Sequence, residues 1–255
     1  MSDPYSARRA AFRALHADGC FVLPNPWDAG GARRLERQGF KALASTSAGM
    51  AWAMGRDDGQ VTRDEVIAHL RMLCAATELP VNADFENGFG ETPAEVAESV
   101  TLAIQAGVAG LSIEDWSGSE LYPLAVAVDR LKAARAAIDA SGQDVLLVAR
   151  TEGYLRGCRD LQPTLERLSA YAAAGADCLY APAVSDPAEI KAVVDAVAPK
   201  PVNVLLWGPE MTVESLAKLC VRRVSTGGAL AAAAWAGFDA AAQRLVEQGR
   251  ISPDA

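Results

Sequence analysis

The stretch Ala106-Gly107-Val108-Ala109-Gly110-Leu111 has a form that recurs along the chain. In each copy a helical segment ends at a glycine, and a short apolar strand begins directly after it. Glycine suits this place because it adopts the positive φ at which many helices end. The alternation predicts β/α units and a parallel sheet. The other copies are Gln38-Gly39-Phe40-Lys41-Ala42-Leu43 and Ala174-Gly175-Ala176-Asp177-Cys178-Leu179.

Short apolar runs predict eight strands separated by helical patterns, which in 255 residues matches a (β/α)₈ barrel in size and unit count. A doubly wound sheet is the alternative, although no G-x-G-x-x-G or G-x-x-x-x-G-K-[ST] motif follows an early strand. We expect one domain over residues 1–255. The predicted strands are Phe21–Pro24, Ala42–Thr46, Val81–Glu86, Gly110–Glu114, Val145–Arg150, Cys178–Pro182, Val202–Leu206 and Arg223–Thr226. The predicted helices include Arg63–Ala76, Pro93–Gln105, Val128–Ala140, Leu161–Ala173 and Pro187–Val197.

Composition and charge argue against several classes of protein. The net charge is −8 and no basic cluster carries interleaved aromatic residues, so we expect no nucleic-acid partner. No apolar run reaches membrane-spanning length, and the first residues lack the apolar core of a signal peptide. The five cysteines are widely spaced without a C-x-x-C motif, which predicts reduced thiols and a cytoplasmic protein. His16 and His69 fall in predicted helices, so we expect no histidine triad or histidine-rich zinc site.

Two carboxylates stand two residues apart where the third strand ends, in Asn82-Ala83-Asp84-Phe85-Glu86-Asn87-Gly88-Phe89-Gly90. In a strand, residues i and i+2 point to the same face, so Asp84 and Glu86 should project together. Such a pair is costly unless something neutralises it. Carboxylates are hard ligands, which favours Mg²⁺, with Mn²⁺ possible. A solvated loop start is the alternative.

Other strand ends add polar groups to the same mouth, because catalytic groups of such barrels come from the carboxyl ends of the strands. The fourth strand ends at Glu114, the fifth ends at Arg150, and the seventh carries Asn203. The second strand ends in the small residues Ser45–Gly49, whose backbone N–H groups could hold an anion. Together these groups predict a site for a metal and an anion.

Further acids near these strand ends differ in their expected roles. Asp115 follows Glu114 directly and should face the other way, which indicates a structural role. Glu152 either supports the site from behind or pairs with Arg150. Asp57 and Asp58 lie in a polar, glycine-punctuated loop, and from the sequence alone a solvated loop is the favoured interpretation.

Several short phrases occur in one order along nearly the whole chain: Pro24-Asn25-Pro26-Trp27-Asp28-Ala29, Thr46-Ser47-Ala48-Gly49, Asp84-x-Glu86-x-Gly88-Phe89-Gly90, Ile113-Glu114-Asp115, Ala149-Arg150-Thr151, Ala174-Gly175-Ala176-Asp177 and Arg222-Arg223-Val224-Ser225. In this order they resemble the isocitrate lyase/phosphoenolpyruvate mutase superfamily. The resemblance implies a (β/α)₈ barrel and a Mg²⁺-dependent site for small 2-oxo acids. It also implies chemistry that makes or breaks a C–C or C–P bond beside an enolate.

The resemblance assigns roles by position. It implies that Asp84 is the direct metal ligand and that Glu86 and Glu114 complete the metal shell. Arg150 would bind the substrate carboxylate or support the enolate, and Asp58 would be the acid of a gating loop. We therefore predict a lid over Ser47–Gln60 that closes on the substrate. The expected catalytic residues are Arg150, Asp58 and Glu114, and the expected substrate-binding residues are Trp27, Thr46, Ser47, Ala48, Arg150 and Asn203.

The segment after the fourth strand departs from the lyases of that superfamily. Isocitrate and methylisocitrate lyases carry a K-[KR]-C-G-H loop there, whereas residues 114–123 hold no cysteine, histidine or lysine. The lysine, threonine and asparagine of the mutase and phosphonopyruvate hydrolase loop are missing too. We therefore expect a Mg²⁺-dependent lyase for a small 2-oxo (di)carboxylic acid, with oxaloacetate decarboxylation as the leading candidate. The alternatives are a C–P hydrolase or mutase acting on a phosphonopyruvate-like substrate, and a non-catalytic binder of 2-oxo acids.

The C-terminal segment from Gly227 to Phe238 is apolar on more than one face of its predicted helix. A surface helix of a barrel needs only one apolar stripe. The additional apolar surface should therefore be buried against another subunit, with Trp235 and Phe238 as anchors. The resemblance likewise implies helix exchange between paired barrels. We expect residues 229–255 to form an oligomerisation region in a homotetramer, or otherwise a homodimer. The alternative is that the helix packs across its own barrel bottom.

Overall fold

A computed structural model describes residues 3–251 and has eight parallel strands in the order β1-β8-β7-β6-β5-β4-β3-β2. Strand β1 pairs with β8, and the Ala44 N–H donates to the Pro24 carbonyl at 3.0 Å across the remaining gap between β1 and β2. The predicted (β/α)₈ barrel is therefore confirmed. Residues 1–2 and 252–255, which the predicted domain and C-terminal region include, lie outside the described residues.

Every predicted strand is present, and most are shorter than predicted because pairing stops where the backbone turns into the loops. The strands are β1 Phe21–Leu23, β2 Leu43–Ala44, β3 Val81–Asp84, β4 Gly110–Glu114, β5 Leu146–Arg150, β6 Cys178–Tyr180, β7 Val202–Leu205 and β8 Arg223–Ser225. The helices within residues 3–251 are α1 Ser6–Leu15, α2 Ala29–Arg37, α3 Ser47–Ala53, α4 Arg63–Ala76, α5 Pro93–Ala106, α6 Leu124–Ser141, α7 Leu161–Ala173, α8 Pro187–Val197, α9 Val213–Lys218 and α10 Ala229–Gln248.

The recurring glycines take the backbone conformation that the sequence predicts. Gly39, Gly107 and Gly175 have φ values of +89°, +101° and +103°. At Gly107 a Cβ atom would lie 2.5 Å from the Tyr5 ring, so the close approach of α1 also excludes a side chain there. These glycines end helices and direct the chain into the next strand.

Helix α1 closes the amino end of the barrel. Phe12 is fully buried against apolar residues of several strands. Arg9 donates from Nε to the Val108 carbonyl at 2.9 Å and from Nη2 to the Ile104 carbonyl at 2.8 Å. With that end closed, the barrel opens only toward the carboxyl ends of its strands, where the predicted site residues lie.

Helix α10 makes little contact with the rest of its own chain. Among its residues only Ala231 is buried, while Phe238 is 63% exposed and packs edge-on against Trp235 with ring centroids 5.8 Å apart. The helix therefore does not cover the barrel bottom of its own subunit, which was the alternative to oligomerisation. Within residues 3–251, no helix is both long and apolar enough to cross a membrane.

Candidate active site

The Asp84 carboxylate is held at the end of β3 by the turn that follows β2. Its Oδ2 accepts hydrogen bonds from the Ser47 backbone N–H at 3.0 Å and from Ser47 Oγ at 3.1 Å. Thr46 caps α3 by accepting from the Gly49 N–H at 3.2 Å, which places Ser47 in the first turn of that helix. The Ser47 N–H, one of those predicted to hold an anion, thus holds the protein's own carboxylate.

Arg150 connects the ends of three neighbouring strands. Its Nη1 lies 3.3 Å from Asp84 Oδ1, and its Nε lies 3.4 Å from Glu114 Oε2 and donates to Glu152 Oε1 at 2.5 Å. Burial lowers the pKa of Arg150, but the carboxylates of Glu114, Glu152 and Asp84 together raise it well above its ordinary value. The guanidinium is therefore a fixed positive charge among acids, and its pairing with Glu152 is one of the two predicted alternatives.

Glu86 and Glu114 are acids in surroundings that disfavour their charge. Burial, with help from Asp84 and Asp58, raises the pKa of Glu86 to about 8. Burial also raises the pKa of Glu114 well above its ordinary value, and Arg150 offsets only part of that increase. Both groups would ionise more readily beside a cation.

Glu86 reaches the mouth by a route that the strand argument did not predict. Strand β3 ends at Asp84, Phe85 is fully buried, and Glu86 has a φ of +44° in the left-handed region. The predicted extension of the strand to Glu86 is therefore wrong. A left-handed turn, rather than strand alternation, brings the Glu86 carboxyl beside Asp84.

Two cavities open at the carboxyl end of the barrel and share Ser47, Asp58, Arg150 and Leu155. The first, of about 350 Å³, is polar and is also lined by Gly59, Glu86, Asn87, Glu114, Trp116, Ser117, Gly118 and Arg156. The second, of about 410 Å³, is mostly apolar and is also lined by Thr46, Ala48, Trp52, Asp84, Tyr180, Pro182, Leu205, Leu206, Trp207, Thr226, Gly227, Gly228, Ala229 and Ala232. We call them the polar cavity and the apolar cavity.

Asp58 lies where the two cavities meet, on the irregular segment between α3 and α4. The residue as a whole is exposed at the rim, but partial burial of its carboxyl raises the pKa of Asp58; a hydrogen bond with Ser47 opposes this shift, and the nearby Asp84 adds to it. The predicted lid over Ser47–Gln60 needs correction at its first half. Residues Ser47–Ala53 form helix α3, in which Gly49, Met50 and Ala51 are buried, so only the following segment is free of regular structure.

Two predicted substrate-binding residues are not brought to either cavity. The Asn203 side chain lies inside the barrel, where Nδ2 donates to Ser225 Oγ at 3.0 Å and Oδ1 accepts from Arg223 Nε at 2.9 Å. Trp27 packs near Gly49, and its carbonyl oxygen lies 2.8 Å from His69 Nε2. Thr46, Ser47 and Ala48, in contrast, line the apolar cavity as a group.

Arg156 is a site residue that the sequence reasoning missed. Its guanidinium lies 4.6 Å from the Trp116 ring centroid, and its Nε lies 3.3 Å from Glu152 Oε2. Arg156 lies in the loop after β5, six residues beyond Arg150. The available signal in the sequence was that this loop carries a basic residue and follows a strand that already holds a site residue.

Asp115 has the predicted structural role. The buried carboxylate accepts from Thr151 Oγ1 at 2.8 Å, from the Glu152 N–H at 2.8 Å and from the Tyr171 hydroxyl at 2.6 Å. Arg167 Nη1 lies 3.1 Å away. The network fixes the backbone directly after Arg150 and thereby positions Glu152 behind the site.

The residues at the mouth fit a magnesium ion. Glu86 Oε1 is buried without a hydrogen-bond partner, although Asp84 and Arg150 lie close by. Within residues 3–251, no three His, Cys, Asp or Glu side chains are placed to hold a metal by themselves. Magnesium commonly keeps several waters and takes only one or two carboxylates. Asp84 as a direct ligand, with Glu86 and Glu114 acting through water, is compatible with that chemistry.

Sequence comparison identifies a family and several relatives of the chain. The chain matches the family described as phosphoenolpyruvate phosphomutase over residues 12–246. An uncharacterized protein of Mycobacterium tuberculosis is 36% identical over 220 residues, which are 85% of this chain and 81% of the relative. Oxaloacetate decarboxylase of Rhodopseudomonas palustris is 29% identical over 247 residues, which are 92% of this chain and 84% of that enzyme.

Solved structures agree with the sequence comparison. A Burkholderia cenocepacia protein with a provisional lyase/mutase assignment has a TM-score of 0.95 and 48% identity, over 98% of this chain and 92% of its own. Oxaloacetate acetylhydrolase in complex with its product oxalate has a TM-score of 0.90 and 27% identity, over 99% of this chain and 91% of its own.

Fold and site together define a (β/α)₈ barrel protein with an arginine-centred cluster of acids at its carboxyl mouth. The chain belongs to the phosphoenolpyruvate phosphomutase family, and so to the isocitrate lyase/phosphoenolpyruvate mutase superfamily that its sequence resembles. The relatives with a named activity are lyases, mutases, a decarboxylase and a hydrolase, which supports an enzymatic role.

Proposed function

We propose that this chain is a Mg²⁺-dependent lyase that cleaves a C–C bond of a small 2-oxo (di)carboxylic acid through an enolate, with oxaloacetate decarboxylation as the leading reaction. The observation that carries the proposal is the position of Arg150 between Asp84 and Glu114, beside the unpartnered oxygen of Glu86. This arrangement offers a carboxylate set for a cation and a fixed positive charge for an anion.

Each side chain has a task that follows from its contacts. Ser47 orients Asp84 through two hydrogen bonds to Oδ2, while Oδ1 faces Arg150. In this proposal Arg150 binds the substrate carboxylate and stabilises the negative charge that develops on the enolate oxygen. Glu152 and Asp115 hold Arg150 and the following backbone in place. A bound Mg²⁺ would supply Lewis acidity at the 2-oxo group.

Decarboxylation suits a mouth without a strong base. When the carboxyl group on C3 leaves as CO₂, the electron pair of the broken C–C bond stays with C3. The reaction therefore begins without the removal of a proton. The cavity linings contain no cysteine or histidine among the described residues. After β4 the chain makes a short turn in which Trp116 bridges to Leu121, in the place of the cysteine loop of methylisocitrate-type lyases.

Tyr122 is a poor candidate for the proton donor to the enolate. Its hydroxyl accepts a hydrogen bond from Asn87 Nδ2 at 3.2 Å, and Tyr122 is absent from the lining of both cavities. Solvent water in the polar cavity is the donor that we favour.

A substrate panel tests the proposal. Purified protein with Mg²⁺ is offered oxaloacetate, 2-methylisocitrate and phosphonopyruvate, and the release of pyruvate, CO₂ and inorganic phosphate is followed. We expect pyruvate and CO₂ from oxaloacetate above the metal-only rate, and loss of that activity in Asp84→Asn but not in Asp57→Asn, whose side chain lies outside both cavities. Phosphate release from phosphonopyruvate alone would indicate the C–P alternative, and tight binding without product would indicate a binder.

A further inference from the structure

The apolar cavity is larger than a small dicarboxylate at the Arg150 end requires. Its volume of about 410 Å³ lies beside the candidate metal site and extends away from it. The wall is built by Trp52, Tyr180, Pro182, Leu205, Leu206 and Trp207, which come from α3 and from the carboxyl ends of β6 and β7. The wall therefore needs no residue from another subunit.

Charge is distributed unevenly along this cavity. Its only charged lining residues among those described are Asp58, Asp84 and Arg150, and these lie together, since Arg150 contacts Asp84 and Ser47 joins Asp84 and Asp58. The wall formed by Trp52, Leu206 and Trp207 offers no cation. A second carboxylate placed there would lose its hydration without gaining a charge partner.

The polar cavity supplies what the apolar cavity lacks. Arg156, Asn87 and Ser117 line it together with Glu86 and Glu114. A substrate centred on Arg150 therefore meets polar partners on one side and an aromatic and aliphatic wall on the other.

We propose that the substrate is a 2-oxo acid whose C3 atom carries an apolar substituent of several carbons, seated in the apolar cavity. The inference rests on the proposed function and specifies its substrate class. For a 3-alkyl oxaloacetate, the C3–C4 bond breaks and C4 leaves as CO₂. The electron pair of that bond forms the C2–C3 enolate, and C3 then takes a proton from water. The product is an unbranched 2-oxo acid lengthened by the substituent.

Binding of the product series tests this inference without turnover. Calorimetry with Mg²⁺ compares 2-oxobutanoate, 2-oxopentanoate and 2-oxohexanoate, for which burial of each added methylene should tighten binding about fourfold. The matched acid 2-oxoadipate, which ends in a second carboxylate, should bind more weakly than 2-oxohexanoate. Equal affinities across the series, or tighter binding of 2-oxoadipate, would overturn the inference.

A variant pair links the effect to the cavity. Trp207→Ala removes part of the wall at an exposed rim, so folding should be unaffected. The increase in affinity for each added methylene should then fall to about twofold or less. Met72→Ala, on the outer face of α4, is the matched control and should keep the full gain. An unchanged gain in Trp207→Ala would overturn the placement. Chain-length-dependent binding without any decarboxylation contradicts only the proposed function, whereas oxaloacetate decarboxylation without chain-length dependence contradicts only this inference.

Discussion

Arg150 Nη1 lies 3.3 Å from Asp84 Oδ1, although the two residues stand 66 positions apart in the chain. The contact joins the carboxyl ends of β5 and β3, and β4 with Glu114 lies between them. Such a planar guanidinium reaches several oxygens at fixed angles, whereas an ammonium is a point charge. The geometry of the arginine, and not only its charge, is therefore part of the site.

Arg150→Lys should fail to restore activity. We expect kcat/KM on the accepted 2-oxo acid to fall by about 100-fold or more, because one donor to the developing enolate oxygen is lost. Arg63→Lys, which alters an exposed pair with Glu98, is the control and should stay near wild type. Near-normal turnover in Arg150→Lys, with an unchanged melting temperature, would mean that Arg150 is structural.

Asp58→Asn should reduce turnover and leave the affinity for Mg²⁺ nearly unchanged. The Asp58 carboxyl lies at the rim between the cavities, on the irregular segment before α4. As part of a closing segment it would act on bound substrate, so we expect kcat to fall about 100-fold. Steady-state kinetics and metal titrations measure both effects, with Asp57→Asn as the neighbouring control. Equal losses of metal affinity and turnover would make Asp58 a member of the metal shell instead.

Much of this architecture was predictable because it depends on local patterns. Glycine at the end of alanine-rich helices and short apolar runs repeat with each unit, and the eight strands follow from them. The carboxyl ends of neighbouring parallel strands must lie at the same end of the barrel. The sequence therefore predicts that Asp84, Glu114 and Arg150 lie close together.

What could not be predicted depends on backbone detail and on packing across the barrel. The left-handed turn at Glu86 has no signal in a strand pattern. Asn203 sits too deep in the barrel, where the buried Arg223 and Ser225 bind its amide. The wall of the apolar cavity combines side chains from α3 and from the carboxyl ends of β6 and β7, so no single stretch of sequence predicts it.

The exposed face of α10 predicts a homo-oligomer. Trp235, Phe238 and Val246 expose apolar surface on a helix that its own chain leaves uncovered. Light scattering should give a multiple of the 26.8 kDa chain mass, with four copies expected. Phe238→Glu should shift the particle toward smaller species, because a charge would be buried in the interface, whereas Met72→Glu on α4 should not. A particle of one chain at micromolar concentration would contradict the prediction.

His16 should make the protein less stable in mild acid. Burial, together with the nearby guanidinium groups of Arg223, Arg13 and Arg222, lowers the pKa of His16 to about 3. The unfolded chain has an ordinary histidine pKa near 6.5, so between the two values only the unfolded state binds the proton. The free energy of unfolding should therefore fall as the pH falls below about 6.5, by about 2 kcal/mol at pH 5 from this residue.

Urea unfolding at pH 7.5 and pH 5, in wild type and in His16→Gln, isolates that contribution. The variant should lose less stability on acidification, although it is less stable at pH 7.5 because the imidazole packs against Phe12 and Phe21. The same loss on acidification in both proteins would show that His16 is not the group that takes up the proton.

If the mouth of this barrel binds Mg²⁺ and an enolate together, it should also bind Mg²⁺ and oxalate together. Oxalate is planar with adjacent oxygens, like the enolate of a 2-oxo acid, and it undergoes no reaction. Calorimetry should detect oxalate binding to wild type with Mg²⁺ and none in excess chelator, with binding lost in Asp84→Asn and kept in Asp57→Asn. Oxalate binding of equal strength with and without Mg²⁺, or unchanged in Asp84→Asn, would show that Asp84 does not hold a metal that binds the enolate.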